Sequence, residues 1–404
     1  MPQQHFTKPL YIFFLVLPSG ICTGFGTVTI PYLLTHNGFS VAQTAGIVAL
    51  GASASLWRFL WGPVADLTLS LKKWFWIGVL ASAASLLLLC VTPLSMKGAL
   101  LFTVIYFISQ LAANLELLPI SGIMANRIET KKKGRAGGWY QAGNLGGVGI
   151  GGGAGLWLAT HYNLMTAGVV LCVVMLLSAL VVIWIKDVKH ENNTRIKTSL
   201  LNMGKDILAM IRIPIVLFVI IMLCMPIGTG AATNLWSAIA DDWKTSVDTV
   251  ALITGILSGL VSVLGCLTGG LIADRWGNWV AYLGAGLFCA IITMAMAAFP
   301  MLPYVYITGV LIYAFGLGLV NAAFTSVILY AIGKRNASTK YALLSSLGNL
   351  PVVYMTTFDG WAHDKHSSKY MLVAEALVGL VFILICIIVL NRMNSKKLVL
   401  KTID

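Results

Sequence analysis

The chain has 404 residues, of which 58% are hydrophobic and only 10% are charged, and its mean hydropathy is +0.87. A soluble domain has nearer a quarter of its residues charged, so this composition excludes an ordinary soluble protein. The seven cysteines lie scattered inside apolar runs, which argues against a disulfide framework and against a cysteine metal site.

Apolar runs of about 20 residues recur along the whole chain, and each is long enough to cross a bilayer as a helix. They predict an all-α membrane protein with twelve transmembrane helices. In chain order, the first six spans are predicted at 10–34, 42–62, 74–92, 98–124, 136–159 and 164–185. The last six are predicted at 213–237, 248–271, 279–299, 303–331, 341–358 and 370–391. The first run is too long for a signal-peptide core, so we expect it to be retained.

The longest polar stretch, 186–212, falls between span 6 and span 7. It divides the chain into an N-terminal six-helix half at 1–185, a linker at 186–212 and a C-terminal six-helix half at 213–404. An even number of spans places both termini on one side of the membrane.

Positive charge is concentrated on the side of the termini. Of the 27 lysines and arginines, 22 fall in segments on that side, four fall on the other, and Arg58 lies inside span 2. The positive-inside rule therefore predicts cytoplasmic termini, most simply in a bacterial inner membrane. The same bias accounts for the net charge of +13 through topology and lipid contact, without a nucleic-acid partner.

Two stretches of the chain repeat each other at an offset of 208 residues. The first matching pairs are Pro18 with Pro226 and Gly20 with Gly228; the later ones are Gly62 with Gly270, Ala65 with Ala273 and Asp66 with Asp274. Each copy begins in an apolar span that its prolines (Pro18 and Pro31, or Pro226) are predicted to break, and ends in a Gly-x-x-Ala-Asp loop one span later. Parallel halves of this kind are typical of transporters that bind substrate between the halves.

The loop after span 8 reads Gly-Leu-Ile-Ala-Asp-Arg-Trp-Gly-Asn from Gly270 to Asn278. It resembles the loop signature of the major facilitator superfamily, and the layout of the chain is similar to that superfamily from end to end. The resemblance implies two pseudo-symmetric six-helix halves that work by alternating access. It also implies that the gating-loop residues hold the cytoplasmic side closed in one state. These residues are Gly62, Asp66, Gly270, Asp274, Arg275 and Gly277.

The first-half loop departs from that signature, because Leu67 stands where Arg or Lys is usual. Its upstream sequence, Trp-Arg-Phe-Leu-Trp-Gly-Pro-Val-Ala-Asp from Trp57 to Asp66, resembles the signature of one branch of the superfamily. That branch contains muropeptide permeases, acetyl-coenzyme A transporters and some siderophore permeases. The resemblance implies uptake of a sizeable polar or anionic solute.

Two ionisable side chains, Arg58 and Glu116, lie well inside predicted spans, where an unpaired charge costs several kcal/mol. One hypothesis is that Glu116 carries a coupling proton or binds a cation while Arg58 holds its charge or an anionic substrate. The alternative is a structural ion pair between two helices. Asn321 occupies the position matching Glu116 in a second correspondence, at an offset of 205 residues, so we include it in the coupling site.

Polar and aromatic residues on spans 1, 4, 7 and 10 predict the wall of a substrate cavity, although single Ser and Thr residues in membrane helices often bond only to their own helix. The predicted lining residues are Thr23, Thr27, Asn114, Thr229, Thr233, Asn234, Trp236, Tyr313 and Thr325.

Several features are assigned no chemistry. The resemblance implies that span 5 packs against span 8, and the glycine run at 146–153 suits such a close helix contact and not a dinucleotide loop. His363, Asp364 and His366 are expected in a solvated loop, Asp241, Asp242 and Asp359 at outer span ends, and Glu375 as a helix-end charge. Nothing in the sequence predicts an enzyme, a cofactor or a metal ion.

The sequence therefore predicts a secondary transporter, expected to be a monomer, that takes up a polar or anionic small molecule together with protons. Proton-coupled efflux of drugs or metabolites is the first alternative, and a membrane sensor that transports nothing is the second.

Overall fold

A computed structural model describes residues 7–58, 60–61, 68–129, 133–186, 212–332 and 343–395. Within these ranges all regular secondary structure is helical, and we number its twelve main segments α1 to α12. Most of the predicted linker, 187–211, and the loop residues Gly62, Asp66 and Leu67 lie outside the described part of the chain.

The first six segments are α1 (Leu10–His36), α2 (Val41–Trp57), α3 (Leu71–Val91), α4 (Ala99–Arg127), α5 (Lys133–Val148, continuing through Gly149–Ala154 to Gly155–His161) and α6 (Leu164–Trp184). The last six are α7 (Pro214–Leu223, with a short turn at Ala231–Asn234), α8 (Val247–Trp276), α9 (Asn278–Ala298), α10 (Pro303–Ile332), α11 (Leu350–Lys365) and α12 (Ser368–Ser395). We refer to α1–α6 as the first half and to α7–α12 as the second half.

Eight uninterrupted helical stretches in the described ranges are long and apolar enough to cross a membrane. Helix α2 and the regular part of α7 are shorter apolar helices. Helix α11 runs to Lys365, seven residues beyond the predicted end of span 11 at 358. This longer α11 carries residues into the helix that the sequence placed in a loop.

The two proline-containing first helices differ. Helix α1 continues from Leu10 to His36, with Pro18 inside its first α-helical part and a π-helical turn at Phe25–Thr29. The predicted break of span 1 at Pro18 and Pro31 is therefore wrong. Helix α7 does break as predicted: regular helix ends at Leu223, and Gly228 and Gly230 adopt positive φ angles of 57° and 74°. Glycine reaches that region without the steric cost that other residues incur.

Close packing against α5 explains why α1 stays helical through its proline. A Cβ atom on Gly147 would lie 2.8 Å from the Gly20 Cα atom, and one on Gly20 would lie 2.9 Å from the Gly147 Cα atom. Small residues let membrane helices approach to this distance, so α1 is held against α5 on both sides of the turn that contains Pro18.

The bundle has two ends, which we name by the chain termini. The terminal face is the end at which α1 begins and α12 ends. The opposite face is the end formed by the α1–α2, α7–α8 and α11–α12 connections. The largest buried apolar cluster belongs mostly to the second half but includes Val28, Tyr32, Val41 and Ala45 of the first, so the halves share a core near the opposite face.

The halves are packed closely together near the opposite face. A Cβ atom on Gly255 of α8 would lie 2.5 Å from the Gly153 Cα atom of α5, which confirms the predicted contact of spans 5 and 8. Farther toward the terminal face the contact of the two helices is looser, with the Cβ position of Gly149 3.5 Å from the Ile256 Cα atom and that of Gly259 3.4 Å from the Leu145 carbonyl oxygen.

Candidate functional site

Glu116 lies in the wall between α3 and α4. Its side chain is fully buried, and its Oε1 atom accepts a hydrogen bond from the Ser82 hydroxyl. Gly78, one turn earlier on α3, leaves space for the Glu116 side chain. A Cβ atom at that position would lie only 2.8 Å from the Glu116 Cγ atom. The Glu116 Oε2 atom has no hydrogen-bond partner among the described residues. Glu116 is thus a carboxyl held inside the first half, apart from the interface with the second.

Arg58 follows α2 toward the terminal face and is half-buried. Its Nη2 atom donates across the interface to the Ser345 hydroxyl, 3.5 Å away, in the helical turn at 343–347 that precedes α11. The hypothesis that Arg58 and Glu116 form an ion pair is wrong for the described structure, since Glu116 bonds to α3 and Arg58 reaches the second half. The guanidinium is consequently placed between the halves.

Asn321 of α10 is exposed, and its carbonyl accepts a hydrogen bond from the Thr325 hydroxyl. Arg58, Glu116 and Asn321 were predicted to share one site, and among the described residues no hydrogen bond joins any two of them.

The predicted cavity residues divide by exposure. Those that are partly exposed are Thr23, Thr27, Asn114, Thr229, Thr233 and Thr325, whereas Asn234, Trp236 and Tyr313 are buried. Thr23 and Thr27 each donate to the carbonyl four residues earlier, which is the structural role that small hydroxyl residues often have in a helix. Trp236 packs edge-on against Tyr313, with ring centroids 5.5 Å apart.

The second-half gating loop lies where α8 meets α9 at the terminal face. Asp274, Arg275 and Gly277 are exposed there, and Gly277 has a φ angle of 91° that reverses the chain direction. Gly270 lies two turns earlier in α8. Gly62 and Asp66, their counterparts in the first half, lie outside the described residues.

A carboxylate from the second half caps a helix of the first half at the opposite face. Asp364 accepts hydrogen bonds from the backbone amides of Val41 at 3.1 Å and Ala42 at 3.0 Å. These amides begin α2, where the helix dipole favours negative charge. Asp364 and His363 belong to the last turn of α11, so their predicted placement in a solvated loop is wrong.

His363 joins this contact to the α7–α8 connection. Its Nε2 atom lies 2.9 Å from Asp242 and its Nδ1 atom lies 3.3 Å from Asp364. With a carboxylate beside each ring nitrogen, the imidazole is best satisfied when both nitrogens carry protons. Burial alone would lower the pKa of His363, but the hydrogen bonds to Asp242 and Asp364 raise it above its ordinary value. Burial opposes the shift at Asp364 as well, yet hydrogen bonds from Ser40, Ala42 and His363 hold its pKa below the usual range.

Two further histidine–aspartate contacts cross between the halves at the same face. His36 of α1 lies 3.2 Å from Asp241, and His161 of α5 lies 3.6 Å from Asp248. We call these contacts, together with the His363 and Asp364 network, the opposite-face latch.

A group of buried acids that the sequence did not assign to a site lies where α10, α11 and α12 meet; we call Tyr313, Asp359 and Glu375 the carboxyl cluster. Asp359 is fully buried and neither of its carboxyl oxygens has a hydrogen-bond partner among the described residues. Glu375 is 9% exposed; its Oε1 atom accepts a 3.0 Å hydrogen bond from the Tyr313 hydroxyl, and its Oε2 atom has no described partner.

The broken segment of α7 adjoins this cluster. Asn234 donates to the Thr356 hydroxyl at 3.0 Å, one turn before Asp359 on α11. A cavity of about 20 Å³ is lined by Thr229, Thr293, Tyr313 and Glu375 together with Pro226 and Gly228. That volume holds about one water molecule.

The expected placement of Asp359 and Glu375 at outer span ends is wrong. Asp359 lies six residues before the end of α11, or about 9 Å along the helix, and Glu375 lies seven residues into α12, or about 10 Å. The error at Asp359 came from ending the predicted span 11 at residue 358, whereas α11 continues to Lys365. The signal that was available is an acid set among apolar and small residues, as in Leu372 to Ala376.

Comparison with known proteins decides the family. The family model described as the Major Facilitator Superfamily matches residues 12–356. The chain belongs to the major facilitator superfamily. It is therefore an integral membrane transporter and not an enzyme, and its helices form the twelve-helix fold that the sequence predicted.

The chain is similar to two curated relatives, both named anhydromuropeptide permease, from Escherichia coli strain K12 and from Escherichia coli O157:H7. Each is 27% identical over 146 residues, which cover 34% of this chain. The match spans only 29% of the length of either relative.

Solved structures share the fold at low sequence identity. A D-xylose–proton symporter superposes with a TM-score of 0.73 at 14% identity, covering 94% of this chain and 96% of its own. A peptide transporter in complex with sulfate superposes with a TM-score of 0.74 at 13% identity, covering 96% of this chain and 95% of its own. A nucleoside transporter superposes with a TM-score of 0.70 at 13% identity, covering 94% of this chain and 98% of its own.

Proposed function

We propose that this major facilitator protein is a proton-coupled uptake transporter for a polar or anionic solute, of which a muropeptide is the first candidate. The observation that carries the proposal is the place of Arg58. It is a permanent cation between the two halves, and the hydrogen bond it makes among the described residues goes to the neutral Ser345 hydroxyl at 3.5 Å. Such a group is available to an anionic solute.

The muropeptide class is supported by the branch motif around Arg58 and by the partial similarity to the anhydromuropeptide permeases. Coenzyme A esters and siderophores share the anionic, polar character that Arg58 would select. In this proposal the termini are cytoplasmic, the opposite face is the external one, and Glu116 carries a coupling proton because its buried carboxyl has one unpartnered oxygen.

Flux into liposomes tests the proposal. The purified protein is reconstituted, an acid-outside pH gradient is imposed, and labelled muropeptide, acetyl-coenzyme A, siderophore and a cationic dye are compared. Gradient-dependent accumulation of an anionic solute, abolished by a protonophore, is the expected result. Export of the cationic dye without uptake of any anionic solute would replace the proposal with proton-coupled efflux.

Arg58 provides the sharper variant. Replacing Arg58 with Ala should raise the KM for the anionic solute about tenfold or more, because a hydrogen bond to a charged group contributes about 1.5–3 kcal/mol. Arg58→Lys should raise the KM by a smaller factor, since lysine keeps the positive charge but cannot form the bidentate hydrogen bonds of a guanidinium. Lys73→Ala is the matched control, because it removes an exposed cation of α3. Equal KM values for Arg58→Ala and Lys73→Ala would contradict the role of Arg58.

A further inference from the structure

We infer that Asp359 and Glu375 form a second proton-binding site, separate from Glu116, whose occupancy governs the contact between α11 and α2. The inference deepens the proposed function and rests on it for the direction of coupling. The ligand is a proton supplied by water at the opposite face.

The burial of both acids requires at least one proton. Asp359 is 0% exposed and Glu375 is 9% exposed, and they lie on α11 and α12, which pack against each other. In the described part of the chain, neither forms an ion pair, and three of the four carboxyl oxygens have no hydrogen-bond partner. Two adjacent carboxylates without a cation are not both ionised at such a site, since each buried charge costs several kcal/mol.

The groups that face the pair come from every helix around it, and none is cationic among the described residues. Helix α10 contributes the Tyr313 hydroxyl, α9 contributes the Cys289 thiol, and the turn of α7 contributes the Ala232 backbone amide. The Tyr313 hydroxyl occupies one oxygen of Glu375, which leaves its Oε2 atom and both oxygens of Asp359 as proton acceptors.

The cavity beside Glu375 offers a route for the proton. It has room for about one water molecule and is lined by the hydroxyls of Thr229 and Thr293 and by the broken backbone of α7. Irregular backbone at membrane depth is found where it lines a cavity or is buried in protein. A water there can accept a proton from the external side and donate it to the Glu375 Oε2 atom.

The position of Asp359 links its charge to the closure of the transporter. The next residue, Gly360, packs against α2 so closely that a Cβ atom would lie 3.0 Å from the Ala42 Cα atom and from the Val41 carbonyl oxygen. Asp364, further along the same helix, caps the first turn of α2. Ionising both acids would require water to enter around this turn of α11, and the close contact at Gly360 leaves no room for it on the side of α2. Loss of the proton should therefore separate α11 from α2.

Infrared difference spectroscopy tests the proton site without a solute. Spectra of the full-length protein in lipid are recorded as the pH is raised from about 5 to 9, a range that brackets the carboxyl and histidine titrations. All spectra are recorded in a Glu116→Gln background, which removes the buried acid of the other half. This parent protein should lose the C=O band of a protonated carboxyl, and adding Glu375→Gln or Asp359→Asn should abolish that change. An identical band change in the parent and in both double variants would overturn the inference.

The link to closure is tested with spin labels on the exposed residues Gln43 and Lys365, in a background without the native cysteines. The distance between α2 and α11 should lengthen in the wild type as the C=O band is lost. It should stay short at both pH values in Asp359→Asn. A sodium-dependent change of distance without any change of the carboxyl band would reject a proton as the ligand.

These readouts distinguish the inference from the proposed function. If no solute is transported while the band and the distance behave as expected, the proposed function fails and the proton site stands. If transport is proton-driven but insensitive to both substitutions, the proton site is wrong and the proposed function stands. Should Asp359→Asn not fold, Glu375→Gln supports both measurements.

Discussion

The buried acids in the two halves of the bundle have different surroundings. Glu116 is alone between α3 and α4, with one oxygen bonded to Ser82. Asp359 and Glu375 lie on the neighbouring helices α11 and α12, and the Tyr313 hydroxyl donates to Glu375. A single buried acid becomes neutral by taking up one proton, whereas two neighbouring acids can share one. Among the described residues, the two repeated halves thus differ in the number of buried acids they carry.

Replacing Glu116 with Gln should leave the fold intact, because the amide oxygen still accepts from Ser82 and the charge is removed. Glu116→Ala, in contrast, should lower the free energy of unfolding by about 2 kcal/mol or more, since it leaves a buried cavity, although the Ser82 hydroxyl can still donate to the Val79 carbonyl. Thermal unfolding in detergent micelles measures both.

The same Glu116→Gln variant should abolish proton-driven accumulation of solute while leaving exchange down a solute gradient. Unchanged pH dependence of uptake in this variant would remove Glu116 from the coupling mechanism.

At the scale of elements, α11 connects the two halves along its whole length. It begins near the turn contacted by Arg58, packs Gly360 against α2, and ends with His363 and Asp364 in the opposite-face latch.

The His363 contacts predict how closure depends on pH. The pKa of His363 is higher in the folded protein than in the unfolded chain. Its contribution to the stability of the latch is therefore complete below the pKa of the unfolded chain, and it is lost as the pH rises through the pKa of the folded protein. The pKa of Asp364 is lower in the folded protein than in the unfolded chain. Its contribution to the stability of the latch is therefore present above the pKa of the unfolded chain, and it is lost as the pH falls through the pKa of the folded protein. The latch should be strongest in mildly acidic solution.

Replacing His363 with Gln should remove the loss of thermal stability that the wild type shows as the pH rises from about 6 to 9, across the range in which histidine titrates. The melting temperature is measured as a function of pH in both proteins. Parallel curves would show that this histidine does not contribute to closure.

The contact between α5 and α8 should tolerate no side chain at Gly255. A Cβ atom there would lie 2.5 Å from backbone atoms of Gly153, so Gly255→Ala should cost about 1–3 kcal/mol as an overpacked site. Gly284→Ala on α9 is the matched control, because nothing lies within 4 Å of that position. If the two variants melt at the same temperature, the close approach of α5 and α8 is not part of the stable state.

In the whole molecule, the described contacts between the two halves are tightest near the opposite face. Backbone contact at Gly153 and Gly255, the α2–α11 packing and the latch all lie on the closed side. In alternating access this is one of two states, and transport requires the same contacts to open.

A cross-link across the latch should therefore stop transport. His36→Cys and Asp241→Cys, in a background without the native cysteines, place thiols on opposite halves where the native side chains lie 3.2 Å apart. A short bifunctional thiol reagent should abolish solute exchange, and a cleavable version should restore it after reduction. Asp242→Cys with His363→Cys is the control, because both residues belong to the second half. Exchange that continues in the cross-linked His36 and Asp241 variant would show that this face does not open.

Particular residues show how much could be read from the sequence. The spans, the Gly270–Asn278 loop and the branch motif around Arg58 predicted the family, because long apolar runs and short loop signatures are local properties. The break in α7 was predicted for the same reason. Pro18 misled the prediction, because packing against α5 keeps α1 helical.

The amino-acid sequence by itself determined that this chain crosses a membrane many times in two related halves, since hydropathy and repeated motifs do not depend on contacts between distant residues. Only the tertiary structure decided which charged residues meet. It separated Glu116 from Arg58, brought Asp359 and Glu375 together inside the second half, and placed Asp364 on the first turn of α2. These pairings join residues as many as 323 positions apart, and their energies depend on burial and distance, which exist only once the helices have packed.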